Sequence, residues 1–144
     1  MRSIGARVRV AVLAAQLSAA ALGGCAGREA SAALVAVREN GAVLATFALP
    51  RLRDLPQLEI ATPQSRGAQV QRGPSVRSVL EAGGATAVER VRVEGRDPAQ
   101  TLIAAEIGQR VILDITKRET LKLAGPQLPV DRWVRDVTAL VVNP

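Results

Sequence analysis

Asn40-Gly41 stands between two apolar runs, Leu34-Val35-Ala36-Val37 and Ala42-Val43-Leu44-Ala45-Thr46-Phe47, and few dipeptides restrict a fold as tightly. Both central residues of a two-residue hairpin loop take positive φ, which asparagine and glycine tolerate, so the pair predicts a β-hairpin. Similar short runs continue down the chain. Leu49-Pro50-Arg51-Leu52-Arg53-Asp54-Leu55-Pro56 reads as a helical turn bounded by prolines, and Gln57-Leu58-Glu59-Ile60-Ala61 alternates as a half-buried strand does. Residues 62–72 are polar and irregular, the longest loop expected. Ser75 can cap a helix that presents Val76, Val79 and Leu80 on one side and stops at Gly83-Gly84. Strands are expected at residues 88–93, 101–107, 111–115 and 137–142, with a short one at 120–123 and a turn of helix at 131–135. The sum is an α+β domain, mostly β, of about seven strands and two short helices.

The chain ahead of that domain has a different character. Arg2, Arg7 and Arg9 form a basic start, an apolar stretch follows from Val10 to Leu22, and Leu22-Gly23-Gly24 leads to Cys25, the single cysteine of the 144 residues. A stretch this short falls below the ~20 residues a bilayer span needs. It has the layout of a removable secretion signal. The resulting division is residues 1–24 as signal, 25–33 as modified cysteine and tether, and 34–144 as one domain.

Absences narrow the chemistry. The chain contains no histidine and no tyrosine, and beyond Cys25 no thiol. The commonest general base near neutral pH and the commonest metal ligand are therefore missing. Thiolate nucleophiles and sulfur-held metals are excluded from residues 34–144. No catalytic residue and no metal site is expected. Removing the three signal arginines leaves 16 basic and 13 acidic side chains, a mild and interspersed excess. With only Phe47 and Trp133 as aromatics there are no stacking platforms, and nucleic acid is not an expected partner.

Two resemblances sharpen these expectations. Leu22-Gly23-Gly24-Cys25 resembles the lipobox of bacterial lipoproteins, in which the peptidase cuts before the cysteine and its thiol carries a diacylglycerol. The alternative is an ordinary cleaved signal beside an unrelated cysteine. The resemblance implies an exported, lipid-anchored protein. Because Ala26 is not the aspartate tied to inner-membrane retention, it would lie on the outer membrane facing the periplasm in a two-membrane host. In any other host it would lie on the outer face of the cell membrane. The second resemblance lies in Phe47-Ala48-Leu49 with Leu52-Arg53-Asp54-Leu55-Pro56, in Gly73-Pro74-Ser75-Val76-Arg77-Ser78-Val79-Leu80, and in Gly125-Pro126 with Arg132-Trp133-Val134-Arg135-Asp136-Val137. In this order they resemble the molybdopterin-binding fold of the sulfite oxidase superfamily, particularly its small stand-alone bacterial members.

That resemblance implies a metal-binding cysteine in the loop after the strand at residues 57–61, where this chain has Thr62-Pro63-Gln64. The enzymes' catalytic residues therefore do not carry over, and no cofactor is expected. Arg66 and Arg72 flank the loop where the family's cofactor sits and are the candidate contacts for an anionic group; solvated loop charges are the competing reading. Trp133 reads as a core anchor, with ligand packing the alternative. Arg132 and Arg135 are expected to pair with Asp131 and Asp136. Asp114 is expected on the outward face of its strand, and Asp131, Asp136 and Glu119 lack the spacing of a calcium loop. The expected function is a membrane-anchored, non-catalytic binding or interaction module with a possible protein partner in the envelope. The alternatives are a redox accessory that retains a pterin-type cofactor and a purely structural envelope lipoprotein.

Overall fold

The computed structural model describes residues 34–144, so the expected signal, Cys25 and the expected tether lie outside the described residues. Asn40 (φ 51°) and Gly41 (φ 77°) make the expected two-residue turn between β1 (Leu34–Glu39) and β2 (Ala42–Ala48). The polypeptide continues through α1 (Leu49–Asp54), β3 (Gln57–Ala61), β4 (Val70–Pro74), α2 (Val76–Ala82), β5 (Arg90–Glu94) and β6 (Gln100–Ile103). It ends with α3 (Ala104–Ile107), β7 (Ile112–Ile115), β8 (Leu121–Ala124), a 3-10 turn at Val130–Arg132, and β9 (Ala139–Val142). The class is α+β, with nine strands and three short helices among the described residues in place of about seven and two.

The strands form a five-stranded sheet in the order β2-β1-β9-β5-β6 and two ribbons, β3-β4 and β7-β8. β9 runs parallel to β1 and antiparallel to β5. Period-two alternation turns Val35, Val37, Val91, Val93, Leu140 and Val142 to one side of this sheet, where all are buried. α2 closes the core as the spacing of its apolar residues predicts. Ser75 Oγ accepts the Ser78 N–H at 3.0 Å, and Val76, Val79 and Leu80 are buried.

The ribbons meet between β4 and β7. A Cβ at Gly73 would come within 1.9 Å of the Leu113 carbonyl oxygen, so only glycine permits this approach. The Val76 N–H donates to the Val111 carbonyl at 3.0 Å. The Arg72 N–H donates to Asp114 Oδ1 at 3.1 Å.

Two segments depart from expectation. Residues 70–72, expected in the loop, belong to β4. Its inward positions are Gln71 and Gly73, which hide the apolar alternation; Gln71 is buried with its Nε2 donating to the Ala68 carbonyl at 2.7 Å. Residues 101–107 are not one strand, because the Glu106 carboxylate accepts the Ile103 N–H at 3.1 Å and starts α3 there. Among the described residues no helix is long and apolar enough to cross a membrane.

Truncating a buried leucine costs roughly 2–5 kcal/mol. Leu80→Ala should therefore lower the thermal midpoint by many degrees, whereas Arg77→Ala, on the exposed side of α2, should leave it nearly unchanged. Gly73→Ala should be at least as damaging as Leu80→Ala, although it removes no contact. Thermal unfolding followed by circular dichroism checks all three.

Candidate functional site

The β7–β8 hairpin carries the centre of the site. Its tip is a tight turn in which the Thr116 N–H donates to the Thr120 carbonyl and the Glu119 N–H to the Thr116 carbonyl, both at 2.9 Å. Glu119 takes φ 59° there, and the turn holds Lys117 and Arg118 out in solvent. Along β8, Leu121 and Leu123 point into the core while Lys122 points the other way. Lys122 stands directly across from Asp114, with Nζ 3.7 Å from Oδ2 and 5.5 Å from the centre of the Trp133 ring.

Trp133 is 8% exposed and its Nε1 donates to the Leu128 carbonyl at 2.9 Å. It is the core anchor expected, and its remaining surface lines the floor of a cleft. Arg135 forms one wall. Its backbone N–H and Nε donate to Asp97 Oδ2 at 2.8 and 3.0 Å, and its Nη2 donates to Oδ1 at 2.8 Å. That fork, with the backbone bond, holds the Asp97 carboxyl down at about 2. Gly95 lets the two segments close up, since a Cβ there would sit 2.5 Å from the Arg135 carbonyl oxygen.

Three adjoining clefts share Lys122. The largest, about 630 Å³, lies over Trp133 between Arg66, Asp97, Asp131 and Arg135. A second, about 300 Å³, is lined by Arg96, Lys117, Arg118, Arg135 and Asp136. The third, about 450 Å³, runs past Arg72, Asp114 and Lys117. Arg66 and Arg72 therefore do open onto one surface, but on different sides of Lys122. The Arg66 loop is fastened at its base, where the Thr62 N–H donates to the Gln69 carbonyl at 2.7 Å. It is fastened to the opposite turn by Gln64 Nε2, which donates to the Gly125 and Pro126 carbonyls at 3.2 Å.

Together these clefts carry seven basic side chains and four carboxylates. Residues 34–144 as a whole carry fifteen and twelve. The entire positive excess of the domain is thus gathered on one surface. Lys122 was legible as the lone cation in Leu121-Lys122-Leu123; Arg96, Lys117, Arg118 and Arg135 become neighbours only through the pairing of β7 with β8 and the approach at Gly95.

Several expected pairings are corrected. Arg132 binds Glu106 and the Thr101 carbonyl, not Asp131, which draws the Glu106 carboxyl below its ordinary range through the guanidinium hydrogen bond. Arg135 binds Asp97, while Asp136 lies 3.9 Å from Arg96. Asp114 is not solvated on an outward face; it is buried because it ties β4 to β7 and faces Lys122. Glu119 turns to Arg53 at 3.5 Å, and among the described residues no three carboxylates converge on a point that would hold a cation.

Thr62 opens the Thr62-Pro63-Gln64 segment, where the family resemblance would imply a metal-binding cysteine. It is fully buried, and its Oγ1 lies 3.4 Å from the Gln69 carbonyl that it helps to fasten. With a threonine hydroxyl turned into the loop, and no sulfur or imidazole anywhere in residues 34–144, the donor set does not fit a molybdenum centre.

Because Asp97 has its carboxyl lowered from 3.8 to about 2, the Asp97–Arg135 tie contributes stability that is whole above pH ~4 and is lost as pH falls toward 2. Asp97→Asn should lower the thermal midpoint at neutral pH and flatten its fall through that acid window. Midpoints of both proteins measured from neutral pH down to about 2 check this.

No family model matches the sequence, and no curated protein matches it. Among solved structures, the sulfane dehydrogenase SoxCD from Paracoccus pantotrophus superposes with a TM-score of 0.60 over 76% of this chain, at 14% sequence identity. The chain spans 37% of the length of that protein's chain. At this identity the likeness is one of fold: residues 34–144 adopt a fold related to a part of SoxCD.

Proposed function

We propose that this chain is a membrane-anchored bacterial lipoprotein whose domain is a non-catalytic binding module built on the scaffold of a molybdopterin-dependent oxidoreductase. The fold likeness to a sulfane dehydrogenase agrees with the landmarks at Phe47, Gly73-Pro74-Ser75 and Arg132-Trp133-Val134-Arg135. The observation that carries the loss of chemistry is Thr62. The Thr62-Pro63-Gln64 segment, where the resemblance would call for a thiolate, offers a buried hydroxyl committed to the Gln69 carbonyl, and no histidine stands in for it. What the scaffold retains is an open cationic surface around Lys122, suited to an anionic partner. Anchoring at Cys25 is supported by the basic start, the short apolar stretch and the Leu22-Gly23-Gly24-Cys25 ending. Two or more acyl chains hold a protein stably, where one is marginal.

Two measurements test the reading. Cys25→Ala should block maturation and abolish incorporation of a fatty-acid analogue in the native host; equal labelling of both proteins would remove the anchor. Protein expressed in a host that makes molybdenum cofactor should carry no molybdenum and unfold at the same temperature when cofactor synthesis is deleted. Stoichiometric molybdenum, or unfolding on its loss, would restore the redox-accessory alternative.

A further inference from the structure

We propose that the cationic surface around Lys122 docks on the anionic phospholipid headgroups of the membrane that holds the anchor, so that the domain lies against the bilayer with Trp133 at headgroup level. The inference rests on the anchored reading for its geometry, and the test below separates the two. Leu34, where the domain begins, lines a shallow cleft with Thr120 and Asp136. Those same two residues line the cleft of Lys117 and Arg118. The chain therefore enters the domain at the edge of its most basic surface.

Eight residues lie between Cys25 and Leu34, and even fully extended the nine steps from one to the other reach about 30 Å. A domain of this size has a radius of gyration of about 13 Å. A lipid on Cys25 would thus keep the Leu34 end of the domain within about one domain diameter of the membrane. The charges at that end match phospholipid. Arg66, Lys117 and Arg118 have no carboxylate in ion-pair range among the described residues. Lys117 and Arg118 are exposed at a hairpin tip, and the clefts are open and adjoin one another, as a surface contacting many headgroups requires. Each basic side chain brought near an anionic surface strengthens association about fivefold, and guanidinium and ammonium groups both bind phosphate oxygens well. The opposite end of the sheet, with Arg38 opposite Val141 and Arg90 beside Asn143, supplies an internal control.

The only tryptophan in the chain is the reporter. Protein purified from its host membrane is reconstituted on vesicles of phosphatidylcholine alone or mixed with phosphatidylglycerol, each carrying a headgroup-level spin-label quencher. Trp133 emission should be quenched strongly on the mixed vesicles and weakly on phosphatidylcholine, with the difference abolished by high salt. Lys117→Glu with Arg118→Glu should remove that difference while the protein stays on both vesicles. Arg38→Glu with Arg90→Glu, an equal change in net charge, should preserve it. Protein that washes off phosphatidylcholine has no anchor, and the docking surface then stands or falls on whether the 117/118 pair alone weakens capture by phosphatidylglycerol. Retention on both vesicles with equal quenching would overturn the docking. So would equal effects of the two charge pairs. A response of Trp133 to inorganic phosphate on phosphatidylcholine vesicles, equal to that on the mixed vesicles, would make the surface a soluble-anion site instead.

Discussion

Asp114 is the residue on which the two ribbons depend. Its carboxylate accepts the Arg72 N–H from β4 and faces Lys122 from β8, so one buried side chain links three strands. A buried carboxylate is costly unless its oxygens are paired, and here each has a cationic or backbone donor nearby. The same arrangement places the Lys122 ammonium. From Asp114 it extends over Trp133, whose indole is fixed by Leu128. The cleft floor, the fulcrum of the cationic surface and the join between ribbons therefore share one electrostatic knot.

The sequence announced elements whose logic is local and concealed those whose logic is not. The Asn40-Gly41 turn, the Ser75 cap and the Val76/Val79/Leu80 face each depend on a handful of neighbouring residues, and all form as expected. β4 escaped because its inward side chains are an amide and a hydrogen atom, and period-two reasoning needs apolar residues to see. Arg132 and Arg135 were assigned to the acids beside them in sequence, yet their guanidinium groups reach carboxylates 26 and 38 residues away. Arg66 and Arg72, expected to flank one loop, line different clefts that share Lys122. The cations that give this surface its character come from a hairpin and a loop that only tertiary pairing assembles.

A scaffold can outlast its chemistry when structural and reactive residues are separate. In this domain Gly73, Gly95 and the apolar faces of the sheet maintain the packing, and none is a reactive group. Thr62 is separate from them; its hydroxyl lies 3.4 Å from the Gln69 carbonyl at the base of the Arg66 loop. The open basic surface around Lys122 is built on the same packing, through the pairing of β7 with β8 and the close approach at Gly95.

The position of β9 has a consequence for how the chain becomes a protein. It is the last of the described strands in chain order, yet it sits third in a five-stranded sheet and supplies the hydrogen-bonding partner for both β1 and β5. Until residues 139–142 emerge, the first hairpin and the β5–β6 pair are two separate sheet fragments with unpaired edges. The domain thus cannot complete its core vectorially, from the first residue onward, and closes in one late, long-range step. A polypeptide that lacks residues 139–142 leaves the edges of both fragments open, so completion of the sheet waits on a pairing made across the length of the domain.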